Sequence, residues 1–238
     1  MNSSIHPPIL DARLSTALDF VRPGAIVADI GTDHAYLPAA LVLNGRARAA
    51  IAADINQGPL EHAAETIHRY HLQDRISLRL TDGLHGIEQD APTDILIFGM
   101  GGELIAQILA EAPFVRNGEI RLILQPMTKQ AELRQWLAAE GFNICGERLS
   151  LAAGKIYQTI CAEYSGEPYT LDAFQAEFGE HILADRPPLL ERLAKHKANV
   201  LRARIAGQTC AGEANAKDEA MLAATENLLK EFRERNED

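Results

Sequence analysis

The chain has 238 residues, 47% of them hydrophobic and 24% charged, which predicts one large soluble globular domain or a domain with an appendage. Its formal net charge of −10 argues against a surface built throughout for polyanions. The opening MNSSIHPPIL has neither a basic leader region nor a long apolar run, and no later stretch is apolar enough to span a bilayer.

In chain order, a short N-terminal helix around Arg13 comes first. Apolar, β-branched runs then recur at 26–30, 49–55, 75–80, 94–98 and 120–125, with helical patterns between them at 36–44, 59–71, 102–111 and 128–140. Strands alternating with helices predict parallel βαβ units and a doubly wound α/β sheet. Pro59 suits the first position of the second helix; Thr128 suits the N-cap of the fourth, which stops at Gly141. FNICGERLSL and KIYQTICAEY, separated by AAG, then read as an antiparallel hairpin, making seven strands. Past residue 165 the strand pattern ends. Residues 188–206 place Leu189, Leu193, His196 and Val200 at helical spacing, and 217–235 place Met221, Thr225, Leu228 and Phe232 likewise. AGQTCAGEANA between them reads as a breaker. The expected organisation is an α/β domain over 1–165 and a helical hairpin domain over 166–238.

VADIGTDHAYLP, 27–38, is a strand running into a turn, as a nucleotide-binding unit begins. The places of its second and third glycines hold Asp33 and Ala35. A carboxylate at position 33 would oppose a pyrophosphate, whereas S-adenosylmethionine (SAM) offers an ammonium and a sulfonium. Asp29 ends the first strand. Asp54 ends the second, where it can accept from a ribose diol, and Asp82 follows the third, placed to accept from an adenine amino group. After the fourth strand, IFGMGGELI leaves the backbone bare at Gly99, Gly101 and Gly102. Enzymes that methylate exocyclic amines carry acceptors there to take the amine's protons. A bare loop suits an acceptor with no proton to lose, such as adenine N1, with catalysis by positioning and desolvation. Close helix–strand packing is the competing explanation of these glycines.

DARLSTALDFV, ADIGTDHAYLP, IAADINQGPL, DGL, FGMGGELI, LILQPM, LRQWL and KIYQTICAEY resemble, in order, the bacterial tRNA (adenine-22-N1)-methyltransferase family over residues 10–165. The resemblance implies a class I methyltransferase sheet, a C-terminal helical domain and methylation of adenine N1 in the tRNA D-arm. It implies SAM binding at Asp29, Gly31, Asp33, His34, Asp54, Asp82 and Gly83, with Thr32 and Ile55 beside them. Gly99, Met100, Gly101 and Gly102 would line the methyl site. Beyond 165 only the architecture is similar.

His34 and Tyr36 open the first helix beside this turn, the one able to bond cofactor or base and the other to stack on a flipped base. With Met100 and Gly101 they are the expected catalytic set. Arg13 could reach the cofactor carboxylate or a phosphate, and Gln125 could read an adenine edge. Residues 186–204 carry six basic residues against Glu191 alone, so Arg192, Lys195, Lys197 and Arg202 are expected to dock tRNA. The histidines show no paired spacing with a third ligand, so no metal is assigned. Cys145, Cys161 and Cys210 stand far apart and read as reduced thiols of a cytoplasmic protein. Two other readings stay open: an NAD(P)-dependent oxidoreductase, and a non-catalytic SAM- or RNA-binding module. No obligate protein partner is expected.

Overall fold

A computed structural model describes residues 6–210 and 216–237, which fall into two compact units that divide after Thr170. In the first, two short helices, α1 (Ala12–Ser15) and α2 (Ala17–Phe20), precede a seven-stranded sheet. Its strands are β1 (Ala25–Ile30), β2 (Ala47–Asp54), β3 (Ile76–Leu80), β4 (Asp94–Met100), β5 (Arg121–Pro126), β6 (Phe142–Ala152) and β7 (Lys155–Tyr164). They lie in the order β3-β2-β1-β4-β5-β7-β6, the first five parallel and the last pair antiparallel. Between the parallel strands run α3 (Tyr36–Leu43), α4 (Gln57–Arg69) and α5 (Gly102–Ala110), and α6 (Gln130–Ala139) leads into β6. The strand order reverses between β1 and β4, so a crevice opens there at the carboxyl ends of the strands.

Local chemistry accounts for most of these elements. In β4 and β5 residues 94–98 and 122–126 are buried without alternation, as strands covered on both faces require. Helix α3 buries Leu37 to Val42 without a polar face, so it is an interior helix. Helix α6 ends before Gly141, which has φ +80° and whose missing Cβ would sit 3.1 Å from Gly166 backbone. Only glycine fits that stop.

Two helix starts differ from expectation. Helix α4 begins at Gln57, so Pro59 is its third residue. Helix α6 begins at Gln130 behind Lys129, which adopts φ +61°, and no side chain caps it. The Thr128 carbonyl instead accepts from Gly102 N–H at 2.8 Å, tying the end of β5 to the start of α5.

One polar cluster lies inside the sheet–helix interface. Arg134 Nε donates to Glu147 at 2.7 Å and Arg134 Nη2 to Gln158 at 2.7 Å, with both charged side chains fully buried. Helix α6, β6 and β7 are thereby joined by a pair whose separation would strand a charge in the core.

The second unit begins with α7 (Ala173–Phe178) and α8 (Glu180–Asp185), which the periodicity did not predict. A capping box does mark the first: Asp172 accepts from the Gln175 N–H, and Gln175 accepts from the Asp172 N–H. Then follow α9 (Leu189–Cys210) and α10 (Ala216–Glu237), packed on each other. Helix α9 continues through AGQTC, the first half of the expected breaker, because nothing there forbids helix; residues 211–215 lie outside the described set. Its buried stripe is Leu190, Ala194, Ala198 and Leu201, with Val200 exposed. The stripe is therefore rotated from the one expected, since alanines occupy the close-packed face.

Candidate active site

The parallel register sets the acids in a row along one edge. Ile30 lies opposite Ala53 of β2 and Ile97 of β4, and Asp54 lies opposite Leu80 of β3. Across the edge the sheet order therefore presents Asp82, Asp54, the Gly31 turn, the Gly99–Gly102 loop and then Met127.

The first turn is built for close approach. Gly31 has φ +79°, and the N–H groups of Gly31 and Thr32 both donate to the Ala53 carbonyl, at 2.9 and 3.0 Å. A Cβ on Gly31 would lie 2.3 Å from the Met100 methyl carbon, so the Met100 side chain rests on bare backbone. Ala35, at the third glycine place, itself adopts φ +51°, so the turn keeps a glycine-type conformation without the residue. Asp33 projects into solvent and Thr32 is buried, which gives the turn a negative outer face.

Around this turn lies a pocket of about 230 Å³ lined by Arg13, Asp29, Gly31, Thr32, Asp33, His34, Tyr36 and Phe98. Burial pushes the Asp29 carboxyl up to about 6, against the hydrogen bond from Thr32 and the charge of Arg13, which lower it. The wall is acidic and has one cation. Beyond it Asp54 accepts from Asn56 N–H at 2.7 Å, leaving its other oxygen for a diol. Ile55 and Leu80 are both 59% exposed, an apolar pair near Asp54 and Asp82 suited to flank a purine. Gly83 has φ +55° and packs on Ile108.

The rings of Tyr36, His34 and His62 form a continuous stack at the pocket mouth, with centroids 5.2 and 4.8 Å apart. His34 Nε2 also meets Asp33 at 3.3 Å. Donor atoms of Asp33, His34 and His62 lie within 4.8 Å of one another, a convergence invisible in the spacing of the histidines. His62 comes to this loop from α4.

The glycines of the acceptor loop divide into two roles. A Cβ on Gly102 would come 2.3 Å from the Lys129 carbonyl, so that glycine serves helix packing. A Cβ on Gly101 would lie 3.3 Å from the Thr128 hydroxyl, and Gly99, at φ +82°, is exposed toward Arg13.

The expectation for Gln125 is corrected, and the basic stretch carries acidic partners that the sequence order did not reveal. Gln125 is fully buried. Its oxygen accepts from Arg13 at 3.1 Å, and its amide nitrogen donates to the Arg13 carbonyl and to Thr159, so no group is left to read a base. It braces Arg13, which also lies over the Tyr157 ring. The basic stretch of α9 is not a bare cationic face. Lys195 pairs with Glu191, Lys197 with Glu177, Arg202 with Glu226, Arg204 with Asp218 and Arg186 with Glu231. Arg192 is exposed but also has an interaction within the chain. The neutralising acids come mostly from α7 and α10, far off in sequence.

No helix among the described residues is long and apolar enough to cross a membrane. A family model described as a methyltransferase domain matches residues 10–160. The chain is 38% identical over 170 residues to the tRNA (adenine(22)-N(1))-methyltransferase of Bacillus subtilis (strain 168), covering 71% of each. The crystal structure of the B. subtilis M1A22 tRNA methyltransferase TrmK matches with a TM-score of 0.77 at 30% identity, covering 95% of this chain and 98% of that one. Sp1610 of Streptococcus pneumoniae, solved with S-adenosyl-L-methionine, matches with a TM-score of 0.82 at 32% identity, over 93% of this chain and 100% of that one.

Proposed function

Because the chain belongs to the bacterial tRNA (adenine-22-N1)-methyltransferase family, we infer that it methylates N1 of adenine 22 in the tRNA D-arm. The observation that carries this reading is the row of acids beside a bare acceptor loop. Asp54, Asp82 and the Gly31 turn form a cofactor face without a phosphate cradle, and the Gly99–Gly102 loop next to it offers no proton acceptor.

SAM, when bound, supplies an electrophilic methyl group. In this reading Asp54 accepts from the ribose, Ile55 and Leu80 flank the adenine, and Asp82 with Gly83 closes the far end. Thr32 holds Asp29 toward the pocket, and Arg13 offers the one nearby cation for a carboxylate. Tyr36, extended by His34, gives the target base a ring to stack on once it leaves the helix. Met100 and Gly101 floor the acceptor side. Adenine N1 presents a lone pair, so the residues around it need only aim the base and exclude water. Asp33, exposed on the outer face of the turn, would offset the positive charge that develops on the methylated ring.

For tRNA docking we retain Arg192, Lys195, Lys197 and Arg202, the last three acting by exchange: a phosphate replaces the acidic partner of each. Such exchange yields weaker net attraction than an unpaired cationic face.

The test is methylation of unmodified tRNA by the purified chain with SAM, followed by nucleoside analysis. The expected product is 1-methyladenosine at position 22, with no product when that adenine is replaced by guanine, whose N1 bears a proton. N6-methyladenosine or 1-methylguanosine would overturn the reading of the acceptor loop. An NAD(P)-linked activity is disfavoured by Asp33 in the turn, and calorimetry with NAD and SAM distinguishes the two.

A further inference from the structure

Cys145 and Cys161, sixteen residues apart in sequence, meet across the terminal hairpin with their sulfurs 3.4 Å apart. A bulge brings them together. Ile144 faces Ala162 and Gly146 faces Cys161, so Cys145 is the extra residue of β6 with no partner of its own. Such an insertion re-aims a side chain, here onto the neighbouring strand. Gly146 completes the device, since a Cβ there would lie 2.9 Å from the Phe20 ring. The two thiols differ in access: Cys145 is exposed, and Cys161 is buried in the core. They lie in the hairpin, apart from the pocket residues described above.

We propose that Cys145 and Cys161 are a modification site for hydroperoxides, with Cys145 the oxidised thiol and Cys161 the resolving thiol. Three features support the assignment of roles. Of these two thiols, only Cys145 is open to a reagent. The hydrogen bond with Cys161 lowers the Cys145 thiol to about 7, despite partial burial and Glu163, with Arg121 also lowering it. Cys161 is pushed upward by the same hydrogen bond and by burial, so its proton stays on until it is needed.

The steps balance. The Cys145 thiolate attacks the peroxide, an S–O bond forms, the O–O bond breaks, and the departing oxygen leaves as hydroxide or alkoxide and takes a proton from water. The sulfenic acid then meets Cys161. An S–S bond forms as the S–O bond breaks, and the hydroxide leaves as water with the Cys161 proton. Two thiols lose two electrons and one hydroperoxide gains them. The sulfurs must approach by roughly 1.4 Å to reach bonding distance, within the play of two side chains.

The test uses the full chain with Cys210 replaced by serine, treated with hydrogen peroxide and digested without reduction. Trypsin separates the two cysteines into peptides 135–148 and 156–192. The expected result is one cross-linked species of these peptides, with the whole chain lighter by two hydrogens. In C161S the reaction should stop at a Cys145 sulfenic acid that dimedone captures, and in C145S the remaining Cys161 should stay reduced. Brief alkylation of the native chain with iodoacetamide gives a reading that no variant's folding can blur: Cys145 should react at least tenfold faster than Cys161. Both thiols remaining reduced under peroxide that oxidises glutathione would overturn the proposal. So would equal alkylation rates.

Discussion

The guanidinium of Arg13 donates to the buried side-chain oxygen of Gln125 across 112 residues of sequence, at 3.1 Å. A helix of four residues at the chain's start is thus fastened to the end of β5, and its cation is aimed at the pocket. Gln125 is in turn held by Thr159, whose hydroxyl lies 2.8 Å from that of Thr16. Replacing Gln125 with Leu removes the brace while filling the space. We expect a folded protein that is less stable by about 1–2 kcal/mol, from the lost hydrogen bonds. Its kcat/KM should fall about tenfold, or ~1.4 kcal/mol of positioning. Thermal melting and steady-state kinetics check both, and an unchanged kcat/KM would show that Arg13 needs no brace.

Asp54 stands at an open strand end, where one carboxylate oxygen accepts from the Asn56 N–H. Asp54→Ala should leave the fold intact and weaken SAM binding by about 1–3 kcal/mol through lost charge-assisted hydrogen bonds. Calorimetry reads it directly. A folded variant with native affinity would remove Asp54 from the site.

Asp29 gives stability and binding opposite pH dependences. Its carboxyl is raised from 3.8 to about 6 by burial, so between those values the native state holds a proton that the unfolded chain has lost. The associated stability is complete below about pH 4 and is lost as pH rises through about 6, by roughly 3 kcal/mol. Binding of a cationic cofactor runs the other way, favouring the carboxylate and weakening below pH 6. Asp29→Asn should therefore raise stability at pH 7.5 while lowering SAM affinity, as denaturant melts and titrations at two pH values would show. A variant less stable than the parent at pH 7.5 would contradict the burial argument.

Gly102 is predicted to tolerate no side chain. A Cβ 2.3 Å from the Lys129 carbonyl must displace backbone on both loops that border the acceptor side. Gly102→Ala should cost about 1–3 kcal/mol of stability and depress kcat more than SAM affinity. Gly101→Val, facing a hydroxyl instead of backbone, should retain more stability and lose turnover.

The buried Arg134–Glu147 pair calls for a double-mutant cycle. Arg134→Met or Glu147→Leu alone should destabilise by about 3–5 kcal/mol, because the surviving buried charge loses the opposite charge that balances it. The double substitution should lie closer to the parent, since it leaves no uncompensated charge, although Gln158 loses its bond from Arg134. Additive losses in chemical denaturation would mean that the two residues do not act as a pair.

Charge reversal at Arg192, Lys195, Lys197 and Arg202 should weaken tRNA binding and leave SAM binding unchanged. If docking proceeds by exchange of intramolecular pairs, the salt dependence lost per cation should be below the roughly 0.7–0.9 of a bare phosphate contact. Binding over a range of salt concentrations measures this slope. Full tRNA affinity in the quadruple variant would place docking elsewhere.

Much of this architecture was legible along the chain because the strands and helices announce themselves by local rules. Buried parallel strands are continuous apolar runs, the hairpin is two such runs around a glycine turn, and a carboxylate in the first turn speaks against a diphosphate whatever surrounds it. Asp29, Asp54 and Asp82 could be aligned from sequence because parallel strands end together on one edge. What the chain order concealed was everything that depends on which distant residues meet. Gln125 looked free at a strand end until Arg13, from the opposite end of the domain, took up its oxygen. The cations of α9 looked unopposed because Glu177, Asp218 and Glu226 lie in other helices. Cys145 and Cys161 looked unrelated because an inserted residue, and not a sequence motif, turns one toward the other. Propensity and periodicity act over a few residues. The neutralisation of a charge, the bracing of a side chain and the pairing of two thiols act through space, and only packing decides them.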